Sequence, residues 1–352
     1  MESKQDKIRL YFLGSGKIAV PVLHAIASSD FIELVGVGTQ EDQPSGRKKK
    51  LQPTPVGAWA GKHDVVVDKP NSVNNTFFLD RLKSLSPDFV LVVSFGQLLK
   101  EKILSLPKHG CINIHASLLP KYRGASPIIA SILNGDTVVG VAIMKMEKGL
   151  DTGPVFATFK HNMAGTENTE KLELILGELA AKNIEGVLRK VHNKELRAIQ
   201  QDHSKATYAG KISKQDGKLN WQLSAVEIER MIRAYYPWPG AYFYLNIEND
   251  ISQSNHTLNM DLNGQSGFAY STSCNKDKRK KVQITEAVVC ENKDAAEPGQ
   301  TLRADKRSWV IACGTEALEI KKLIPEGKKE MTGADFIRGN RIKEVSLNNR
   351  KF

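Results

Sequence analysis

A chain of 352 residues, 41% of them hydrophobic and 25% charged, holds apolar material for more than one core, so two domains are expected. Its formal net charge of +11 fits poorly with action on small neutral molecules alone and points to a polyanionic partner, a nucleic acid or an anionic surface. Cys111, Cys274, Cys290 and Cys313 lie far apart with no C-x-x-C pair, which argues against a disulfide framework or a zinc ribbon and for reduced thiols.

At the N-terminus an apolar run over residues 8–13 is cut by Gly14, short of a signal-peptide core, and no stretch is long enough to span a bilayer; a cytoplasmic protein is expected. Up to about Val191 short apolar runs alternate with helical patterns, the signature of parallel strands joined by crossover helices. Strands are expected over 8–13, 32–37, 64–67, 88–94, 111–115, 138–146 and 155–161, and helices over 17–28, 74–84, 125–134 and 166–191. This is an α/β unit over residues 1–194 with an open, mostly parallel, Rossmann-like sheet.

Residues 195–209 are polar and aperiodic and read as a linker. Beyond them, over 210–352, a helix at 225–234 precedes strand-like runs at 241–246, 281–289, 308–313 and 317–323, the pattern of a small β-barrel. The stretch 247–280, rich in Asn, Ser and Asp, reads as an insertion.

Gly14-Ser15-Gly16-Lys17-Ile18-Ala19 follows the first strand and opens a helix, as a dinucleotide-binding turn does. The second strand, however, runs through Thr39-Gln40-Glu41-Asp42 into Arg47-Lys48-Lys49-Lys50, a poor setting for a ribose pocket, so a plain tight turn or a substrate-admitting loop is the preferred reading. His109, Cys111 and His115 share a strand face at a spacing too long for a compact chelate, and no metal-ligand spacing is found elsewhere; no metal is expected.

The stretch from Cys111 to Pro120 is more informative, because Asn113 and His115 interrupt an apolar strand at its carboxyl end, where open α/β sheets bind ligands. Two residues apart, they present an amide donor and an imidazole on one face. Gly149-Leu150-Asp151-Thr152-Gly153 is a glycine-flanked turn that offers one carboxylate, within reach if the turn lies beside the fifth strand. The set suits acyl transfer to an amine: Asn113 for a developing oxyanion, His115 for a proton, Asp151 to orient the imidazole. On pattern alone, a strand-end Asn and His that merely cap backbone groups is an equal reading.

Asn113-Ile114-His115-Ala116-Ser117-Leu118-Leu119-Pro120, with Tyr122-Arg123-Gly124 and Gly149-Leu150-Asp151-Thr152-Gly153, resembles the folate-dependent formyltransferases. The resemblance implies that 10-formyltetrahydrofolate is the co-substrate and that Asn113, His115 and Asp151 are catalytic. It places Ser117, Leu118, Leu119 and Pro120 on the folate, and Ser94, Phe95, Gly96 and Leu98 around the pterin. Residues 39–56 and the C-terminal part, through Pro237-Trp238-Pro239-Gly240-Ala241 and Gly327-Lys328-Lys329, resemble the family's tRNA-directed branch. That branch implies an OB-like C-terminal domain and, as acceptor, the α-amine of methionine on initiator tRNA. Arg47, Lys48, Lys49, Lys50, Lys280, Lys281, Lys328 and Lys329 are then expected on tRNA phosphates, with a monomer as the working form. Ser15-Gly16-Lys17-Ile18, Gln43 and Lys48 depart from the residues common in the branch. An amino-sugar nucleotide as acceptor, and an RNA-binding module without activity, are the alternatives.

Overall fold

The computed structural model describes residues 7–45, 50–246, 279–293 and 295–340. The chain divides into two compact units, the first formed by residues 1–213 with 233–237, the second by 214–232 with 238–352.

In the first unit the order is β1 (Ile8–Gly14), α1 (Ala19–Ala27), β2 (Ile32–Gly38), β3 (Gln43–Ser45), β4 (Lys50–Gln52), α2 (Pro55–Lys62), β5 (Val67–Asp68), α3 (Thr76–Leu85), β6 (Phe89–Val93), α4 (Glu101–Leu104), β7 (Cys111–His115), β8 (Arg123–Gly124), α5 (Pro127–Leu133), β9 (Val138–Lys145), β10 (Val155–Asn162), α6 (Thr169–His192) and β11 (Tyr208–Ala209). Seven strands form one sheet in the order β10-β9-β7-β6-β1-β2-β5. β1, β2, β5, β6 and β7 run parallel, and β9 is antiparallel to both its neighbours. All five residues of β6 are buried, as a strand covered on both faces requires. One face packs against α1 and α6 through Phe12, Val22, Ile114, Leu176 and Ile184, the other around Tyr11, Phe78, Val92 and Ile103.

Most expected elements are present within a few residues, and the misses have local causes. The strand expected over 64–67 is confined to Val67–Asp68, because Asp64 takes a left-handed φ of 54° as the chain leaves α2. Helix α2 was not among the expected helices although its start is well signalled: Thr54 accepts from Gly57 N at 3.0 Å, and Pro55 holds the first position. The basic stretch lies beside it. Its flanks pair as the hairpin β3–β4, while residues 46–49 lie outside the described residues. Residues 195–209 return to the first unit: Ile199 bridges Val155, and β11 runs parallel to β8.

The second unit contains α7 (Ala225–Ala234, whose last two residues belong to the first unit), β12 (Ala241–Asn246), β13 (Arg279–Cys290), β14 (Thr301–Ala304), β15 (Trp309–Ala312), β16 (Ala317–Pro325), β17 (Met331–Thr332) and α8 (Gly333–Gly339). The strands form an antiparallel sheet in the order β12-β13-β16-β15-β14, with β17 on β16. Trp221, Phe243, Trp309 and Phe336 fill its core. Of the expected insertion, residues 247–278 lie outside the described residues, and 279–280 open β13.

Candidate active site

The carboxyl edge of the first sheet is where the sequence places its polar cluster. β7 lies between β6 and β9, with Asn113 opposite Val92 on one side and Met144 on the other. β9 runs antiparallel to β7 and ends beside the start of β7, where Met146 N donates to the Cys111 carbonyl at 2.8 Å. The loop that follows folds back over β7 before β10, and this fold-back brings Asp151 to Asn113 and His115.

His115 and Asp151 have side chains only 6% and 13% exposed, with Nδ1 3.7 Å from Oδ2. The other ring nitrogen, Nε2, lies 2.8 Å from the Tyr122 carbonyl oxygen. A carbonyl can only accept, so Nε2 carries a proton and Nδ1 is the nitrogen turned to the carboxylate. Asp151 Oδ2 accepts from Gly124 N at 2.8 Å, and Oδ1 faces Asn113 Nδ2 at 3.5 Å. Three residues at this edge hold left-handed backbone: Ser94 at φ 47°, Tyr122 at 57° and Asp151 at 53°. Such conformations are costly for residues with a side chain and persist where the surroundings enforce them.

The enforcing contacts come from residues that the sequence did not single out for a role. Arg123 is 2% exposed, and its Nε and Nη2 donate to Gln201 Oε1 at 3.1 and 2.8 Å. Gln201 Nε2 donates in turn to the carbonyls of Asp151 and Gly153, at 2.8 and 2.7 Å. One amide thus ties the turn that carries Asp151 to the guanidinium beside β8. A single glutamine within a polar, aperiodic segment carries no sequence signal for such a role. Gly124 sits at φ 116°, and a Cβ there would fall 2.5 Å from the Ala209 carbonyl oxygen. Gly124→Ala is therefore expected to destabilise the fold by about 1–3 kcal/mol and to lower turnover by displacing the N–H that holds Asp151. A wild-type unfolding midpoint in denaturant would contradict this.

The two candidate substrate-lining groups lie on different sides of His115. Ser117, Leu118, Leu119 and Pro120 wall a cavity of about 620 Å³ beyond the end of β7, shared with Tyr122, Asp136, Val138 and Lys160. Ser94, Phe95, Gly96 and Leu98 follow β6 beside Asn113 and do not line that cavity. Phe95 is 2% exposed and packs in the core, whereas Leu98 is 71% exposed.

The first glycine turn is engaged internally. The N–H groups of Ser15 and Gly16 both donate to the Ser94 carbonyl oxygen at 3.2 Å, a Cβ on Gly16 would meet Ser94 Oγ at 2.5 Å, and Lys17 pairs with Glu170. The glycines serve close packing of β1 on β6, as the plain-turn reading expects. His109, Cys111 and His115 are not brought together either: the Cys111 thiol points to the Ile103 carbonyl at 3.6 Å, and burial pushes its pKa up to about 12.

Residues 7–188 match the family model for formyl transferase, and residues 211–341 match that for the formyl transferase C-terminal domain. The chain is 34% identical over 340 residues to a methionyl-tRNA formyltransferase of Alkaliphilus oremlandii, covering 97% of this chain and 99% of that one. It is 36% identical over 335 residues to that of Bacillus velezensis, with 95% of each chain covered. The chain belongs to the methionyl-tRNA formyltransferase family. Among solved structures, HypX from Aquifex aeolicus in complex with tetrahydrofolic acid superposes with a TM-score of 0.60 at 14% identity. That match covers 94% of this chain, which spans only 47% of HypX. The sugar 3N-formyl transferase WlaRD superposes with a TM-score of 0.58 at 16% identity, covering 92% of this chain and all of that one. At such identities the likeness is one of fold.

The basic residues fall into two sets. Lys50 is exposed on the β3–β4 hairpin, and Arg47, Lys48 and Lys49 lie outside the described residues. In the second unit, Glu326 N donates to the Lys281 carbonyl at 2.9 Å, which brings Lys280 and Lys281 beside the turn holding Lys328 and Lys329. Lys280, Lys328 and Lys329 are exposed, while Lys281 lies 3.7 Å over the Tyr242 ring. Lys321 and Lys322 are paired with Glu319 and Glu286. No helix among the described residues is long and apolar enough to cross a membrane.

Proposed function

We propose that the chain transfers the formyl group of 10-formyltetrahydrofolate to the α-amine of methionine on initiator tRNA. The observation that carries this reading is the convergence of Asn113, His115 and Asp151 at the sheet edge, in a chain similar over its whole length to methionyl-tRNA formyltransferases. The amine nitrogen forms a bond to the formyl carbon, and the carbonyl electron pair moves to oxygen. The Asn113 amide, whose one hydrogen bond among the described residues is a long contact to Asp151, keeps N–H capacity for that oxyanion. The intermediate collapses by breaking the bond to N10 of the folate. A proton lost by the amine bridges His115 Nδ1 and Asp151 and passes to N10, so that tetrahydrofolate leaves neutral at that nitrogen. Holding both substrates at one edge supplies much of the acceleration.

On this reading Leu98 and the 94–98 loop flank the pterin next to Asn113, and Ser117–Pro120 form the wall beyond His115. Exposed Lys50, Lys280, Lys328 and Lys329, with Arg47–Lys49 and Lys281, meet the tRNA backbone. The OB-like reading of the second unit draws support from β13, a twelve-residue strand whose register shifts between Ile284 and Ala287, as a strand bent around a barrel does. A monomer holding no metal in the reaction suffices, since one chain carries all three reacting groups.

Purified protein given 10-formyltetrahydrofolate and charged initiator tRNA is expected to yield formylmethionyl-tRNA, with apparent tRNA affinity falling steeply as salt rises. Absence of folate-dependent product would refute the proposal. Salt-insensitive turnover of an amino-sugar nucleotide would move the chain to the alternative acceptor.

A further inference from the structure

Titratable side chains gather a second time at the opposite, amino edge of the same strands. Asp88 stands immediately ahead of β6, His109 two residues ahead of β7, and His192 closes α6. One donor atom from each lies within 4.8 Å of the others. His109 Nε2 and His192 Nδ1 are both buried, with no hydrogen-bond partner among the described residues. A buried polar atom left unpaired costs about 1–3 kcal/mol, and two such atoms on adjoining rings are hard to account for by packing.

The surroundings hold the three groups in place. Asp88 Oδ2 accepts from Arg9 N at 2.9 Å, and its backbone carbonyl accepts from His109 N at 2.8 Å. Phe89 stacks on the His109 ring with centroids 5.0 Å apart, and the His192 ring is tilted 59° to it at 5.1 Å. Burial, together with the neighbouring His192 ring and the charges of Lys108 and Lys194, lowers the His109 pKa against the opposing pull of Asp88. A recess of about 180 Å³, lined by Asp30 and Asn193 and by the cations Lys7 and Arg189, reaches His192.

We propose that Asp88, His109 and His192 form a binding site for a divalent transition-metal ion, Zn²⁺ foremost, that fastens the C-terminal turn of α6 to the amino edge of the sheet. Two imidazoles and a carboxylate are a common donor set for such ions and leave a position for water. With bonds of about 2.0–2.1 Å, a tetrahedral Zn²⁺ holds its ligands roughly 3.3 Å apart. Donors now 4.8 Å apart at most need draw in by up to about 1.5 Å. The site lies at the far end of the strands from Asn113, so its role is structural.

The test is a Zn²⁺ titration of the full chain, stripped with a chelator, against a chromophoric competitor, with Co²⁺ as an optical probe. One equivalent is expected to bind and to raise Tm. Asp88→Asn and His192→Gln should each weaken binding by at least the 10–100-fold that loss of an outer-shell partner costs (about that range), and His192→Gln should lose the Tm response while keeping formyl transfer. No binding, or equal binding by a His109→Gln/His192→Gln double variant, would overturn the proposal. Should His109→Gln fail to fold, His192→Gln at the helix end carries the decision alone: undiminished affinity there also overturns it.

Discussion

His115→Ala is expected to lower kcat for formyl transfer by about 10²–10⁴-fold while leaving the Kd for charged tRNA within a factor of two. The ring is buried and its polar partners among the described residues are Asp151 and the Tyr122 carbonyl, so its removal takes away a proton carrier and none of the exposed lysines. Asn113→Ala should cost about 10²–10³-fold, the loss that follows removal of one oxyanion donor. Because Asn113, His115 and Asp151 act in one network, the His115→Ala/Asn113→Ala double variant should fall well short of the product of the single losses. Single-turnover rates with saturating tRNA and folate, alongside filter-binding affinities, make the comparison. A His115→Ala enzyme that loses tRNA binding while turning over normally would mean that the ring belongs to the acceptor surface.

The alternation of apolar runs and helical patterns is enough to forecast the α/β unit, because buried parallel strands such as Phe89–Val93 must be apolar on both faces. Asn113 and His115 stand out for the complementary reason, as a polar pair at the end of such a strand, although backbone capping reads the pattern equally well. Asp151 is legible only as a candidate, since its approach to His115 depends on the loop after β9 folding back over β7, which local sequence does not encode. Arg123 entered only through a motif, and Gln201 not at all, because their significance lies in a contact across 78 residues. Likewise, His109 stands near Cys111 and His115 in sequence, but its neighbours in space are Asp88 and His192.

Gln201→Leu should separate fold from function most clearly. Its side chain has two tasks: Oε1 accepts both donors of a buried guanidinium, and Nε2 holds the carbonyls of Asp151 and Gly153. Among the described residues Arg123 has no carboxylate partner; apart from Gln201 its side chain meets only His203 Nδ1, at 3.1 Å. Leucine leaves a buried cation nearly unpaired, at a stability loss of about 1.5–3 kcal/mol, the range for hydrogen bonds to charged groups. It also frees the turn that keeps Asp151 in its left-handed conformation, so kcat should fall while tRNA affinity stays. Gln201→Glu divides the two tasks. A carboxylate beside Arg123 makes a charge-assisted pair and should restore much of the lost stability. The same carboxylate sets an acceptor against two carbonyls that can only accept, so the tether to Asp151 is not rebuilt and kcat should remain low. Equal turnover by Gln201→Glu and the wild type would show that the turn holds Asp151 without the glutamine, and an unchanged Tm in Gln201→Leu would show that Arg123 does not depend on it.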